Sequence, residues 1–301
     1  MNPRSAPKCT LLKVMLALSF LVASVSSAFC LDSAPHSAID QGLPNEYGRV
    51  VYQKNQDATN QIFIIGQSHR SGVNGKNGQH TVQAQMEIYR IGEWLIRQKK
   101  VELLLPEGFF QKGIVQNDAQ ARPHANYAPD TLDSERLRSL LQDTRQFVSA
   151  DTLLSAQYPI RLGQVEDEEL YQTVSHLMRK LGNRNEDWNR ALFEELNDYQ
   201  RKRTAIMLQN IPFAVESVFQ RGDIKNKHAI FTIGMAHIAD ILEVFHAETG
   251  VIAGNDDLLS SPAFYLLEEG YGVTVILPKS LAEDGTVWRL TRLEQGDKKF
   301  N

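Results

Sequence analysis

Short apolar runs at 62–65, 101–105, 160–165, 229–233 and 272–277 punctuate this chain. They are rich in β-branched residues and are bounded by Gly, Pro or charged residues. Runs of that length and composition predict buried strands, and a further strand is expected near 49–53. Between them the apolar period changes. Ala84, Ile88, Ile91 and Leu95 recur at helical spacing within 81–98, and amphipathic stretches follow near 134–150, 168–181, 186–222, 238–248 and 256–269. Strands alternating with helices predict an α/β fold, with a mixed, largely parallel sheet and helices on both faces. The stretch 111–133 carries Pro123 and Pro129 and no period, so it reads as a long loop or lid.

The amino terminus follows a different pattern. Arg4, Lys8 and Lys13 precede a short apolar run over 16–25, and small residues close it at Ser26, Ser27 and Ala28. This order reads as a secretory signal over 1–28, with a run too short to span a bilayer. A flexible polar leader over 29–47, with Pro35 and Pro44, then precedes a single folded body over 48–301. Lipid anchoring at Cys30 is the competing reading, and the bulky Phe29 before it argues for a periplasmic or secreted protein without an anchor. Removal of the signal takes Cys9 with it, so no internal disulfide is expected and stability must come from a core. The formal charge of −4 becomes more negative once three cations leave. Nucleic acid is thereby an unfavourable partner, and the expected partner is a small-molecule or peptide substrate, with the oligomeric state left open.

One heptapeptide pattern occurs twice. Residues 63–69 and 231–237 both spell Phe-x-Ile-Gly-x-x-His, placing Gly66 before His69 and Gly234 before His237. The repeat fits two pseudo-symmetric halves sharing one sheet. Glycine suits a sharp turn or a close approach at the end of a strand, so two imidazoles are expected at one rim. In parallel sheets ligands bind beyond the carboxyl ends of the strands, where Glu107 follows the 101–105 run and Glu166 and Asp167 follow the 160–165 run. On the long helix Arg203, Met207 and Asn210 share a face, and an arginine there suits a substrate carboxylate or a developing oxyanion. Histidine with carboxylate suits zinc, manganese or cobalt, which polarise a carbonyl and acidify water. The same groups can serve as acid and base without metal. Structural readings stand beside these. Glu166 and Asp167 open an acidic first helical turn, Arg203 lies among solvated charges, and His80 is either a third imidazole or simply a residue at a helix start.

The order Gly66-x-x-His69, Glu107, Arg203 with Met207, and Gly234-x-x-His237 resembles the superfamily of TraB/GumN-like and Tiki proteins. Erythromycin esterase and the ChaN-type haem-uptake proteins are its distant relatives. The resemblance runs through most of the body, and LGQVEDEELY resembles the family stretch that carries Glu166 and Asp167. It implies metal-dependent hydrolysis of an amide or ester, with His69, Glu107 and His237 as metal ligands and catalytic groups beside Arg203. For the ChaN-type branch it implies haem or iron binding instead, with the histidines or Tyr127 as axial ligands; a non-catalytic scaffold is the third alternative. Two positions depart from the pattern: Gln67, where relatives carry threonine or glutamate, and Thr204, where asparagine is preferred and Asn210 is the substitute.

Overall fold

The computed structural model describes residues 42–68, 79–111, 132–142, 148–182, 190–246, 266 and 270–284. The signal and leader up to residue 41, His69, Tyr127 and nearly all of the 111–133 loop lie outside these residues, as does most of the 256–269 segment. The described residues fall within one compact unit, and none of their helices is long and apolar enough to cross a membrane.

Six strands form one sheet: β1 (Gly48–Lys54), β2 (Asn60–Gln67), β3 (Leu103–Pro106), β4 (Arg161–Leu162), β5 (His228–Gly234) and β6 (Tyr271–Pro278), in the spatial order β1-β6-β2-β5-β3-β4. Only β1 runs antiparallel to its neighbour; the other pairs are parallel. The helices are α1 (Gln79–Gln98), α2 (Ser134–Gln142), α3 (Ala150–Gln157), α4 (Glu168–Gly182), α5 (Arg190–Gln220), α6 (Met235–His246) and α7 (Lys279–Glu283).

The strands read as continuous apolar runs because both faces of the sheet are covered. Alternate residues of each strand enter different cores. Ile62, Ile64, Leu103, Leu105, Phe231, Ile233, Val273 and Val275 pack with Met207, Leu208 and Ile211 of α5 and Ile238 and Ile241 of α6. Phe63, Ile65, Leu104, Ile230 and Ile276 point the other way, onto Ile88, Ile91 and Leu95 of α1, Leu137 and Leu141 of α2 and Leu154 of α3. The expected α/β class, with helices on both faces, is therefore the observed one.

Chain order within this sheet has a consequence for function. From β2 the chain crosses by α1 to β3 on one face; from β5 it crosses by α6 toward β6 on the other. Each unit steps over the first strand of its counterpart, so β2 and β5 lie side by side at the centre while β3 and β6 flank them. The two repeated heptapeptides thus begin on adjacent parallel strands, with Gln67 opposite Gly234. Connections leave these strands on opposite faces, and a crevice opens at such a switch point.

Several expectations need correction. The 134–150 segment is helical in two pieces, α2 and α3, with 143–147 outside the described residues. Strand β4 is two residues long rather than six, although Gly163 N–H still donates to Leu104 O of β3 at 2.9 Å. Helix α6 begins at Met235, three residues earlier than its apolar period implied, so His237 sits in a first helical turn and not on the strand. The motif glycines do not turn sharply: Gly66 and Gly234 are strand residues and neither has a positive φ. For Gly66 the requirement is close approach. A Cβ there would lie 2.7 Å from Leu277 Cδ2, 2.7 Å from Met235 Sδ and 3.1 Å from Ile238, so glycine lets the start of α6 lie against β2. Gly66→Ala is expected to destabilise the fold by about 1–3 kcal/mol through overpacking, measured by urea unfolding. An unchanged midpoint would contradict this packing role.

Candidate functional site

Three segments converge at the carboxyl ends of the parallel strands. The chain after β3 bears Glu107, whose backbone N–H donates to Thr232 O of β5 at 2.9 Å and so continues the ladder one residue beyond the strand. Next comes Gly108 at φ +72°, a conformation favouring glycine, and its N–H donates to Glu166 Oε2 at 3.0 Å. The segment between β4 and α4 delivers Glu166, and the first turn of α6 delivers His237.

Arg203 of α5 joins them. Its Nε donates to Glu166 Oε1 at 2.8 Å and its Nη2 to Glu166 Oε2 at 2.6 Å, a two-pronged pairing that fixes the plane of the guanidinium. Nη2 also donates to Glu107 Oε1 at 2.8 Å, and the other oxygen of Glu107 accepts from Gly234 N–H at 2.6 Å. Nη1 has longer contacts, 3.4 Å to His237 Nε2 and 3.4 Å to Gln200 Oε1. His237 Nε2 lies 3.5 Å from Glu107 Oε1, while its Nδ1 is 2.6 Å from Thr204 Oγ1. The Tyr171 ring covers the guanidinium at 5.2 Å and meets Phe110 edge-on.

The network is dry. The side chains of Arg203 and His237 are 4 % exposed, that of Glu107 10 % and that of Glu166 0 %. Burial opposes the charge of Arg203, but the hydrogen bond and charge of Glu166, with the charge and hydrogen bond of Glu107, outweigh it and hold the guanidinium above its ordinary pKa.

The structure thus brings together Glu107, Glu166, Arg203 and His237. The sequence favoured a solvated helix terminus for both Glu166 and Asp167, and it holds for only one of them: Asp167 Oδ1 caps α4 by accepting from Leu170 N–H at 2.9 Å, whereas Glu166 turns inward. Arg203 is buried and not among solvated charges. Met207 is a core residue. Asn210 does not substitute at the site; its Nδ2 donates to Val165 O at 2.9 Å and steadies the segment carrying Glu166. His80 is exposed on α1. His69 lies outside the described residues, but the carbonyl of Ser68 just before it accepts from Gln85 Nε2 at 3.1 Å. Sequence reasoning passed over Tyr171, Gln200 and the bonding role of Thr204. The spacing of Gln200 and Thr204, four residues apart on one helix face, was the available signal; no sequence pattern links Tyr171 of α4 to α5.

A metal ligand set can be tested against these donors. An imidazole nitrogen and a carboxylate oxygen 3.5 Å apart match two positions of one tetrahedral ion, whose donors lie roughly 3.3 Å apart at bonds of about 2.0–2.1 Å. Arg203 beside both donors opposes a cation. Among the described residues no three His, Cys, Asp or Glu side chains are grouped to hold a metal. The chain matches no family model, no curated protein and no solved structure.

Removing the cation should expose the cost of this arrangement. Arg203→Ala leaves two carboxylates buried without their partner and is expected to cost about 3–5 kcal/mol. Arg161→Ala breaks an exposed pair with Asp223, at 3.7 Å, and should cost under about 1 kcal/mol. Equal losses in chemical unfolding would contradict the burial of the network.

Proposed function

We propose that this chain is an exported, metal-assisted hydrolase of amide or ester bonds, with its site at the switch point between β2 and β5. The observation that carries the proposal is the buried cluster in which Glu107 Oε1 and His237 Nε2 face one another at 3.5 Å beside the guanidinium of Arg203.

Glu107 and His237 would hold a zinc, manganese or cobalt ion, together with His69 from the repeated motif. When bound, such an ion supplies Lewis acidity and lowers the pKa of a water molecule. The chain's own groups have defined tasks. Were the ion absent, His237 Nε2 and Glu107 Oε1 would instead be the pair able to take a proton from water and return it to the leaving group; with the ion held, both atoms would be occupied by it. Glu166 holds the guanidinium from one edge, so Nη1, whose contacts are the longest, is the corner suited to a carbonyl oxygen as charge develops on it. Tyr171 over the guanidinium limits water on one face, which strengthens these interactions. The haem reading receives less support, because His237 Nε2 lies against Arg203 Nη1 and Glu107 Oε1.

The test is hydrolysis of a panel of nitrophenyl esters and fluorogenic peptide amides by the purified mature protein, with its metal content measured. Turnover should be lost on chelation and restored by zinc, manganese or cobalt. Glu107→Gln and His237→Asn should each lower kcat/KM by about 100-fold or more. Absence of turnover across the metal-loaded panel would overturn the proposal.

A further inference from the structure

We infer that Gln200 is a substrate-binding residue that grips the backbone N–H and C=O of one extended residue, and that the substrate is accordingly a peptide. Gln200 lies one turn before Arg203 on α5, and its backbone carbonyl accepts from Thr204 Oγ1 at 2.9 Å, so its side chain is what it offers the site. That side chain reaches the corner of the guanidinium with the longest contacts, 3.4 Å from Nη1. A guanidinium nitrogen donates and does not accept, so the atom facing Nη1 is the amide oxygen and the orientation of the carboxamide is fixed. Nε2 is turned away from Arg203, and its hydrogens meet no acceptor among the described residues.

The surroundings leave this amide for a ligand. Glu107, Glu166, Arg203 and His237 are dry, and Glu166 with Glu107 occupies Nε and Nη2 of the guanidinium. Gln200 is half-buried and Tyr171 is 36 % exposed, so the approach from solvent passes these two side chains. The Tyr171 ring covers a face of the guanidinium, and Gln200 brings polar atoms to its edge. A carboxamide carries donor hydrogens beside an oxygen that retains a second lone pair. One strand residue offers its opposite neighbour the same two groups in a ladder. In an extended peptide the N–H and C=O of one residue point to the same side, so Oε1 can accept the first while Nε2 donates to the second. An ester oxygen in place of that N–H removes one of the two bonds.

The inference rests on the hydrolase reading for its place beside Nη1, but peptide binding needs no turnover. It is tested by nuclear magnetic resonance on the mature protein isotopically labelled in nitrogen, with the Gln200 side-chain amide identified by its loss in Gln200→Leu. Acetyl-trialanine amide at millimolar concentration should shift that signal. Of the analogues in which one backbone N–H at a time is replaced by an ester oxygen, one should bind about 10-fold more weakly, read from backbone amide signals. The difference should vanish in Gln200→Leu. In the hydrolase assay the same variant should raise KM for peptide substrates about 10-fold with kcat little changed, the mark of binding shared by ground and transition states. An unshifted Gln200 amide overturns the inference. Equal binding of the peptide and every analogue to wild type does so too, whether or not the leucine variant folds, as does discrimination that survives in Gln200→Leu. Peptide binding with the expected discrimination but no turnover defeats the hydrolase reading alone.

Discussion

A guanidinium taken out of water beside two carboxylates loses hydration that only a nearly complete set of hydrogen bonds offsets. Arg203 finds that set because four separate segments supply it. Glu166 grips two of its nitrogens, Glu107 a third contact, and each carboxylate also accepts a backbone N–H, from Gly108 or from Gly234. The network therefore joins the end of β3, the entry to α4, the middle of α5 and the start of α6. Displacing any one of them would leave a buried polar group short of a hydrogen bond, so the site and the packing of the sheet's carboxyl edge depend on one another.

The chain path explains why this edge is the place. Two β-α-β units interleave, each stepping over the other's first strand and covering opposite faces. Their first strands, β2 and β5, meet at the centre of the sheet. Gly66 permits α6 to rest against β2, and that contact sets the first helical turn from which His237 reaches Glu107. The repeated heptapeptide is thus the local trace of a pseudo-two-fold arrangement, and its glycine serves packing where a turn had been expected.

Much of the fold was legible because the strands are buried on both faces and so appear as unbroken apolar runs, and because α1, α4 and α5 carry long amphipathic periods. What was not legible was decided by contacts between distant segments. Glu166 and Asp167 are neighbouring acids that no period separates; the capping of α4 by Asp167 turns one outward and leaves the other for Arg203. Asn210 lies on the helical face of Arg203, yet its amide is taken by Val165. Thr204 stood out in the sequence only as a departure from a pattern, since its contact with His237 Nδ1 at 2.6 Å joins residues distant along the chain. Glu107, Arg203 and His237 were individually visible as strand-end or helix-face residues, but their dryness follows from the covering aromatic ring and the depth of the sheet edge.

The account is tested most directly by a double-mutant cycle on the central pair, with Arg203→Met and Glu166→Leu made singly and together and unfolding free energies measured in urea. If the buried guanidinium organises the site, Arg203→Met leaves two carboxylates without it, and Glu166→Leu leaves Nε and Nη2 each short of an acceptor. The double variant should then be more stable than the sum of the single losses allows, with a coupling of at least about 2 kcal/mol. Losses that simply add would show that the two side chains do not depend on one another, and would contradict the account.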